Sequence, residues 1–251
     1  MDASLRVESA EISLCGGRSE NQDRVGLALT GSTALLAVVD GMGGHADGAA
    51  AAEVARRVIL EEFSHTLHPL FNPKHFLRWA LTRAHQAVLA LGIDRPYPER
   101  PRATCAVCLL QQRMSWWAHI GDSRIYHLRR HAVLARSRDH SHVETLLRQG
   151  LITPAQAQTH PLRNFVECCL GGEPALPEMT LTRRLPVHPE DVLLVCTDGW
   201  WSGLAEGEIA DGLGAPGRLR DELMALALLA TRRNGLTSDN ASAAALRVLS
   251  G

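Results

Sequence analysis

The sequence predicts an α+β protein in which two mostly antiparallel sheets are flanked by helices. Strand-like segments follow one another in groups, and so do helical ones, instead of alternating along the chain as in a doubly wound sheet. Short connections join the strand-like segments between residues 103 and 137, which is typical of antiparallel neighbours. The 251 residues, 45% of them hydrophobic, contain no evident linker, so we expect a single domain over residues 1–251.

The first third of the chain predicts three strands and then two helices. Apolar patterning places the strands at 5–14, 25–29 and 33–40. Residues 49–63 are amphipathic, with alanines toward the core, and predict the first helix. The second helix is predicted to begin after an N-cap at Asn72, with Pro73 in its first position. Its predicted buried stripe comprises Leu77, Leu81, Ala84, Val88 and Leu91.

The rest of the chain returns to strands, with one helical interruption. Strands are predicted at 103–110, 114–121, 124–130, 132–137, 179–185, 191–198 and about 240–249. Residues 142–161 have poor sheet character and predict helical turns, one of them capped by Thr153 and opened by Pro154. Two further helices are expected at 206–212 and 218–232.

Charge and lysine content exclude several classes of function. The net charge is −1 and the pI about 6.9, so no basic surface is predicted for nucleic acid or an anionic membrane. Lys74 is the only lysine and stands in "FNPKHF", which excludes a P-loop, a kinase strand lysine and most Schiff-base enzymes. The longest apolar runs fall short of the ~20 residues that span a bilayer, and the first residues lack a secretory pattern.

Cysteine usage predicts reduced thiols and a cytoplasmic protein. The six cysteines lie mostly in apolar surroundings, including Cys168 and Cys169, and a core of this size needs no disulfides. Cys105 and Cys108 form a CxxC, the spacing of many zinc and redox sites. Their segment predicts a strand, in which residues three apart point to opposite faces. We therefore expect both to be structural.

Aspartates at the ends of predicted strands are the strongest indication of chemistry. They are Asp23, Asp40, Asp122, Asp198 and Asp239. One such residue is commonly a turn former or a helix cap. Five that converge would repel one another by several kcal/mol per close pair, an arrangement that only bound cations make stable. Carboxylate oxygens suit Mg²⁺ or Mn²⁺, and no HExxH pattern is present to recruit zinc.

A pair of such cations is suited to phosphate chemistry, which directs attention to Arg18. Two divalent ions hold a bridging water as hydroxide for in-line attack, and a phosphate ester is the natural substrate of that arrangement. Arg18 lies five residues before Asp23 in a glycine-preceded turn, where its guanidinium could hold phosphoryl oxygens with two hydrogen bonds. The alternative is an ordinary exposed arginine.

The motifs resemble those of the bacterial metal-dependent Ser/Thr protein phosphatases of the PPM (phosphatase 2C) type. The similarity rests on their order along the chain from about residue 5 to 249: "RSENQD", "VVDGMGGHADG", "IGDSR", "RDHS", "THPLRN", "LLVCTDGWW" and "SDNAS". It implies a four-layer α/β/β/α sandwich with a dinuclear Mn²⁺ or Mg²⁺ site. It also implies hydrolysis of phosphomonoesters by a hydroxide bridging the two ions, with no covalent intermediate.

The same resemblance implies a role for each matching residue. Asp40 bridges both metals, the Gly41 carbonyl binds the second, and Asp198 and Asp239 complete the first. Asp122, with Asp198, corresponds to a third-metal position. The resemblance further implies that Asp23 accepts a hydrogen bond from metal-bound water and that Arg18 binds the substrate phosphate. It also implies that Thr104 and Asn240 support the site by hydrogen bonding and that residues of about 139–164 form a flap beside the cleft.

Several positions depart from the family pattern. Met42 stands where animal members carry a histidine proposed as the general acid, and His45 is the nearest histidine, as an acid or as a packing residue at a helix start. Gln22 replaces a common glutamate, which removes one carboxylate near the second metal. Trp200-Trp201 replaces smaller residues, either as core behind the site or as a lip that contacts the phosphopeptide. The other histidines show no clustering in the sequence.

The leading functional prediction is therefore a phosphoserine/phosphothreonine protein phosphatase. Its expected partners are phosphoproteins, including a cognate Ser/Thr kinase, and we expect a monomer that binds neither nucleic acid nor membrane. One alternative is a catalytically silent regulator that binds a phosphoprotein or a kinase, although the metal-site aspartates are all retained. Another is a metal phosphodiesterase or a small-molecule phosphatase that uses the same chemistry.

Overall fold

Two antiparallel sheets pack face to face and carry helices on their outer faces, so the predicted α+β class and α/β/β/α layering are confirmed. The computed structural model describes residues 5–42, 47–182 and 185–250. His45 lies outside the described residues, so the structure says nothing of its expected role. Within the described part of the chain, every helix is too short or too polar to traverse a lipid bilayer.

Each sheet draws its strands from distant parts of the chain. The first contains, in spatial order, β1 (Val7–Leu14), β12 (Ala241–Val248), β11 (Asp191–Cys196), β6 (Arg124–Arg129) and β7 (Ala132–Arg136). The second contains β10 (Leu185–Pro186), β5 (Met114–Ile120), β4 (Arg102–Gln111), β3 (Thr33–Gly41) and β2 (Asp23–Thr30), with β8 (Leu170–Gly171) beside β4 and β9 (Thr180–Leu181) beside β5. The helices are α1 (Gly48–His65), α2 (Pro73–Ala90), α3 (His142–Arg148), α4 (Pro154–Gln158), α5 (Asp198–Trp201), α6 (Glu206–Gly214) and α7 (Leu219–Asn234).

Strand alternation divides the core into three apolar layers. In β3, Leu35 and Val39 pack toward α1 and α2, whereas Leu36 and Val38 face the other sheet. The third layer lies between the other face of the first sheet and α5, α6 and α7, with Trp200 among its largest buried side chains. A strand buried on both faces is apolar throughout, which explains the continuous hydrophobic run of β3.

The helix starts follow their predicted capping chemistry. The Asn72 side chain accepts a hydrogen bond from the His75 backbone N–H at 3.0 Å, and α2 begins at Pro73. Thr153 forms a capping box with Gln156 at the start of α4. The predicted buried stripe of α2 is correct except for Leu91, which is 38% exposed. Leu91 is the C-cap of a helix that ends at Ala90, so it does not continue the buried face.

The segment 179–185 is predicted as one strand, whereas the described residues on either side of 183–184 pair over two residues each. β9 and β10 each contribute two residues to the edge of the second sheet beside β5. Pro186 has no N–H to donate to a sheet ladder, which limits β10. The two-residue β8 and the one-turn α5 were not predicted, because elements this short carry no periodic signal.

The two cysteines of the CxxC lie in different layers, as alternation requires. Cys105 packs toward the helices and Cys108 toward the other sheet. Burial raises the pKa of both thiols far above the usual range, which keeps them protonated. All six cysteines are free. The expectation of burial is only partly met at Cys168 and Cys169, which are half-buried.

A buried ion-pair network closes the end of the first sheet where β11 begins. The Asp191 side chain is fully buried and accepts hydrogen bonds from Arg129 Nε at 2.6 Å and from the His188 backbone N–H at 2.8 Å. His127 Nε2 lies 2.7 Å from its second oxygen. Burial alone would raise the pKa of Asp191, but the hydrogen bonds from Arg129, His188 and His127 hold it below its ordinary value.

We expect Asp191→Asn to lower the free energy of unfolding by about 1–3 kcal/mol at pH 7, because it removes charge-assisted hydrogen bonds from a buried acceptor. Since the pKa is lower in the folded state, this stabilisation is present above the unfolded-state value near pH 4 and is lost as the pH falls further. Urea unfolding between pH 7 and pH 3 measures both effects. A wild-type advantage that grows below pH 4 would contradict this account of Asp191.

Candidate active site

The strand-end aspartates meet at one end of the two sheets. Asp23 and Asp40 stand directly opposite each other in the antiparallel pair of β2 and β3. Asp198 follows β11 of the other sheet, and the residue before it, Thr197, donates a hydrogen bond from Oγ1 to Asp23 Oδ2 at 2.8 Å. This hydrogen bond joins the two sheets at the acidic end. The predicted convergence of these carboxylates is therefore observed.

A cleft of about 890 Å³ opens above this acidic end. Its acidic end is lined by Arg18, Asp122, Asp198, Gly199 and Asp239. Its other side is formed by the 139–164 segment, including Val143, Glu144, Leu147, Ala157, Thr159 and Arg163. Asp23 and Asp40 do not line this cleft but lie beneath it, where Asp23 is only 3% exposed.

The carboxyl groups at this end oppose one another's ionisation. Burial, followed by repulsion from Asp198 and Asp239, raises the pKa of Asp23 to about 7, although hydrogen bonds from Thr197 and Ser242 counteract the rise. Burial and repulsion from Asp239 raise the pKa of Asp198 to about 6. These groups cannot all carry charge at neutral pH without compensating cations.

The pKa values of Asp40 and Asp122 are raised as well, and for the same physical reasons. Burial, and then repulsion from Asp23 and Asp198, raises the pKa of Asp40 well above its ordinary value. Burial and repulsion from Asp198 do the same for the pKa of Asp122. Asp40, in its protonated form, counteracts the rise in the pKa of Asp198 by hydrogen bonding to that carboxylate.

The donor set suits a hard divalent cation. Every candidate side-chain ligand is a carboxylate, which matches Mg²⁺ or Mn²⁺ better than zinc. Among the described residues, no group of three or more His, Cys, Asp or Glu side chains stands in a ready coordinating arrangement. What supports a cation at this site is the chemistry of the donors and their mutual repulsion.

Backbone approaches at this end of the sheets require glycine. A Cβ on Gly41 would lie 2.1 Å from the carbonyl oxygen of Gly48, and one on Gly199 would lie 2.1 Å from that of Asn240. Both contacts are with backbone, which cannot move aside as a flexible side chain can. Glycine therefore allows the loops carrying Asp40, Asp198 and Asp239 to come together.

Asn240 connects the Arg18 loop to the start of β12. Its Nδ2 donates to the carbonyl oxygens of Cys15 at 2.8 Å and Glu20 at 2.9 Å, and its Oδ1 accepts from the Gln22 N–H at 2.8 Å. These are the hydrogen bonds expected of a supporting residue. Thr104 makes a comparable contact on the other side of the site, with its Oγ1 2.8 Å from Ser123 Oγ.

Arg18 is both exposed and engaged with the site. Its side chain is 52% exposed, yet Nη2 donates to Asp239 Oδ2 at 2.7 Å, and both residues line the cleft. Arg18 is therefore an exposed arginine that also lies in the cleft. Gln22 contributes backbone contacts to Gly41 and Asn240, while its side-chain Nε2 donates to Glu20 at 3.2 Å.

Of the two adjacent tryptophans, Trp200 belongs to the core and Trp201 lies at the cleft. Trp200 is fully buried in the layer beneath the first sheet, as core behind the site. Trp201 is partly buried and lines the cleft, where its Nε1 donates to the backbone carbonyl of Asp122 at 3.1 Å. Whether Trp201 contacts a phosphopeptide stays a prediction.

Two contacts at the site were not predicted from the sequence. Arg124 forms a two-point ion pair with Asp139, with Nε···Oδ1 at 2.9 Å and Nη2···Oδ2 at 2.7 Å. Both residues belong to motifs, "GDSR" and "RDHS", but nothing in the spacing connects them. His119 and His140 stack with ring centroids 4.6 Å apart, although they are distant in the sequence. The fold brings these rings together from residues 21 positions apart.

Comparison with known proteins agrees with this geometry. A family model described as "Protein phosphatase 2C" matches residues 16–216. The "Serine/threonine phosphatase stp" of Listeria monocytogenes is 29% identical over 198 residues, or 78% of this chain and 75% of that protein. The "Serine/threonine protein phosphatase PstP" of Mycobacterium tuberculosis is 30% identical over 201 residues, which cover 79% of this chain but only 37% of that protein.

A solved structure extends the similarity to nearly the whole chain. The catalytic domain of PstP, determined in complex with two manganese ions, superposes with a TM-score of 0.79 and 28% identity, covering 98% of this chain and all of that domain. The two-sheet fold and the cluster of aspartates at its end agree with the match to the family model. The chain belongs to the protein phosphatase 2C family.

Proposed function

We propose that this protein is a metal-dependent protein phosphatase that hydrolyses phosphoserine and phosphothreonine esters. The convergence of aspartates from both sheets beside an arginine-containing cleft is the observation that carries the proposal. Relatives of the same family are named as serine/threonine phosphatases. A silent regulator is not favoured, because such a protein has no use for several mutually repelling carboxyl groups at one end of its sheets.

The proposed metal ligands are Asp40, the Gly41 carbonyl, Asp198 and Asp239, which would hold two Mn²⁺ or Mg²⁺ ions, with Asp122 and Asp198 at a third position. The support is the all-oxygen donor set and the pKa elevation of Asp40, Asp122 and Asp198. When bound, the ions would neutralise the carboxylates and activate water for in-line attack on phosphorus, with no covalent intermediate.

The chain's own residues position the substrate and the attacking water. Arg18 is exposed and lies at the cleft, so its guanidinium is placed to bind phosphoryl oxygens when it turns from Asp239. Asp23 lies opposite Asp40 and is held by Thr197, which places it to accept a hydrogen bond from the water. Neither role requires a histidine, in keeping with Met42 at the position after "DG".

The 139–164 segment is proposed to act as a flap within a single domain. It is attached through a short neck, in which the His142 N–H donates to the Phe165 carbonyl at 3.1 Å and the Glu167 N–H to the His140 carbonyl at 2.8 Å. Beyond the neck, α3 and α4 form one side of the cleft. A segment with few backbone connections to the sheets is suited to adjust to different phosphopeptides.

The proposed partners are phosphoproteins, among them a cognate Ser/Thr kinase, and the proposed compartment is the reducing cytoplasm. Six free thiols support a reducing environment. A net charge of −1 gives no support to nucleic-acid binding. We propose a monomer, since the cleft is formed within one chain.

The direct test is phosphate release from phosphopeptides. We expect Mn²⁺-dependent hydrolysis of phosphoserine and phosphothreonine peptides, abolished by EDTA and restored by excess Mn²⁺, with much slower release from a phosphotyrosine control. Hydrolysis that persists in EDTA, or no hydrolysis with either Mn²⁺ or Mg²⁺, would refute the proposal.

We expect Asp198→Asn to lower kcat/KM for p-nitrophenyl phosphate by more than about 100-fold, the upper end of the loss seen when only outer partners of a metal site are changed. The same variant should melt about 2–4 °C higher than wild type without metal, because one repelling charge is removed and the amide oxygen can still accept a hydrogen bond from protonated Asp40. Asp94→Asn, on an exposed loop, is the matched control and should change neither quantity. Wild-type activity of Asp198→Asn would contradict the assignment.

We expect Arg18→Ala to raise KM roughly tenfold or more with little change in kcat, because a charged hydrogen bond to phosphate is lost from ground and transition states alike. Steady-state kinetics with p-nitrophenyl phosphate measure the two constants separately. Arg78→Ala, an exposed position on α2, serves as the control. A fall in kcat at constant KM would show that the role given to Arg18 is wrong.

A further inference from the structure

The two adjacent tryptophans of α5 differ in one polar contact. The indole N–H of Trp200 is buried and has no hydrogen-bond acceptor among the described residues. The indole N–H of Trp201 donates to the backbone carbonyl of Asp122 at 3.1 Å. Trp201 lies in the same helical turn as Asp198, three residues away. The single turn of α5 therefore carries the proposed metal ligand Asp198 and also contacts the loop of a second proposed ligand, Asp122.

The ring of Trp201 also supports Arg124. The guanidinium carbon of Arg124 lies 3.2 Å from the centroid of the Trp201 ring. Arg124 is bound at the same time to both oxygens of Asp139, which is 6% exposed, so its planar group is fixed from two directions. Asp139 is the first residue of the flap. The stack thus connects the turn of Asp198 to the start of that segment.

The backbone around Asp122 is held on its other sides as well. Gly121 adopts a φ of +99°, its N–H donates to His140 Nδ1 at 3.3 Å, and its carbonyl accepts from the His140 N–H at 2.9 Å. On the following residue, Ser123 Oγ lies 2.8 Å from Thr104 Oγ1. Trp201 supplies the hydrogen bond to the carbonyl of Asp122 itself. Without that hydrogen bond the backbone of Asp122 would be less constrained, and so would the direction of its carboxylate.

We propose that Trp201 is a positioning residue: its hydrogen bond to the Asp122 carbonyl and its stack on Arg124 orient the Asp122 carboxylate toward the divalent cation it would share with Asp198. The proposal rests on the proposed function, since it concerns the metals of that site. Trp201 acts through Asp122 and is not itself a ligand. The structural alternative is that Trp201 merely fills space beside the cleft.

The adjacent tryptophans allow a matched test. Trp201→Phe keeps an aromatic ring over Arg124 but removes the N–H, whereas Trp200→Phe removes an N–H that has no acceptor in the described part of the chain. Mn²⁺ binding to the substrate-free protein is measured by calorimetry, with thermal unfolding without metal as the measure of packing. We expect Trp201→Phe to raise the Kd of the weakest Mn²⁺ site about tenfold, in line with losses at other outer partners of metal ligands. Trp200→Phe should leave every Mn²⁺ Kd unchanged, even where it lowers the melting temperature.

Arg124→Lys provides a second variant in case Trp201→Phe does not fold. It keeps the charge but removes the planar group that lies on the ring and binds Asp139 at two points, so we expect the same direction of change in Mn²⁺ affinity. Unchanged Mn²⁺ binding in the folded variant, or equal weakening by Trp200→Phe, would overturn the proposal for Trp201 while leaving a metal-dependent wild-type phosphatase intact. A wild-type protein that neither binds Mn²⁺ nor hydrolyses phosphopeptides would overturn the proposed function together with it.

Discussion

Mutual repulsion among buried and half-buried carboxylates is the constraint on which the rest of this structure depends. Asp23, Asp40, Asp122 and Asp198 are brought together by strands that also build the core, so the acids cannot separate without disrupting it. Burial adds desolvation to that repulsion, and both raise the pKa values of these groups. The cluster of carboxylates lowers the stability of the metal-free protein, whereas bound cations would offset the repulsion. This is the basis of the metal dependence proposed for this chain.

The sandwich offsets this cost with apolar packing on three levels and with a few cross-connections at the acidic end. Thr197 joins the sheets through Asp23, and Asn240 joins the loop of Arg18 to the start of β12. Gly41 and Gly199 allow the backbones to approach where any Cβ would collide. The core therefore fixes where the acids stand, while these local contacts fix how the connecting loops meet.

Much of this architecture could be predicted from the sequence because its signals are local or ordered. Asn72-Pro73 and Thr153-Pro154 mark helix starts by capping chemistry, and the order of the motifs identifies which aspartates belong together. Contacts between residues that are distant in the sequence have no comparable local signal. The pairing of Arg124 with Asp139 and the stacking of His119 on His140 arise only when the sheets and the neck are in place. Leu91 continues the apolar period of α2 but lies past the last turn, so periodicity placed it wrongly.

The neck of the flap has a consequence for how such proteins diversify. Backbone hydrogen bonds to Phe165 and from Glu167 connect that segment to residues around His140, and the chain between them forms α3 and α4 outside the two sheets. Changes of length or composition beyond the neck leave the carboxylate framework where it is. Under the role proposed for this segment, evolution could change which phosphoproteins bind by substituting residues beyond the neck, while the chemistry of the carboxylates is inherited unaltered.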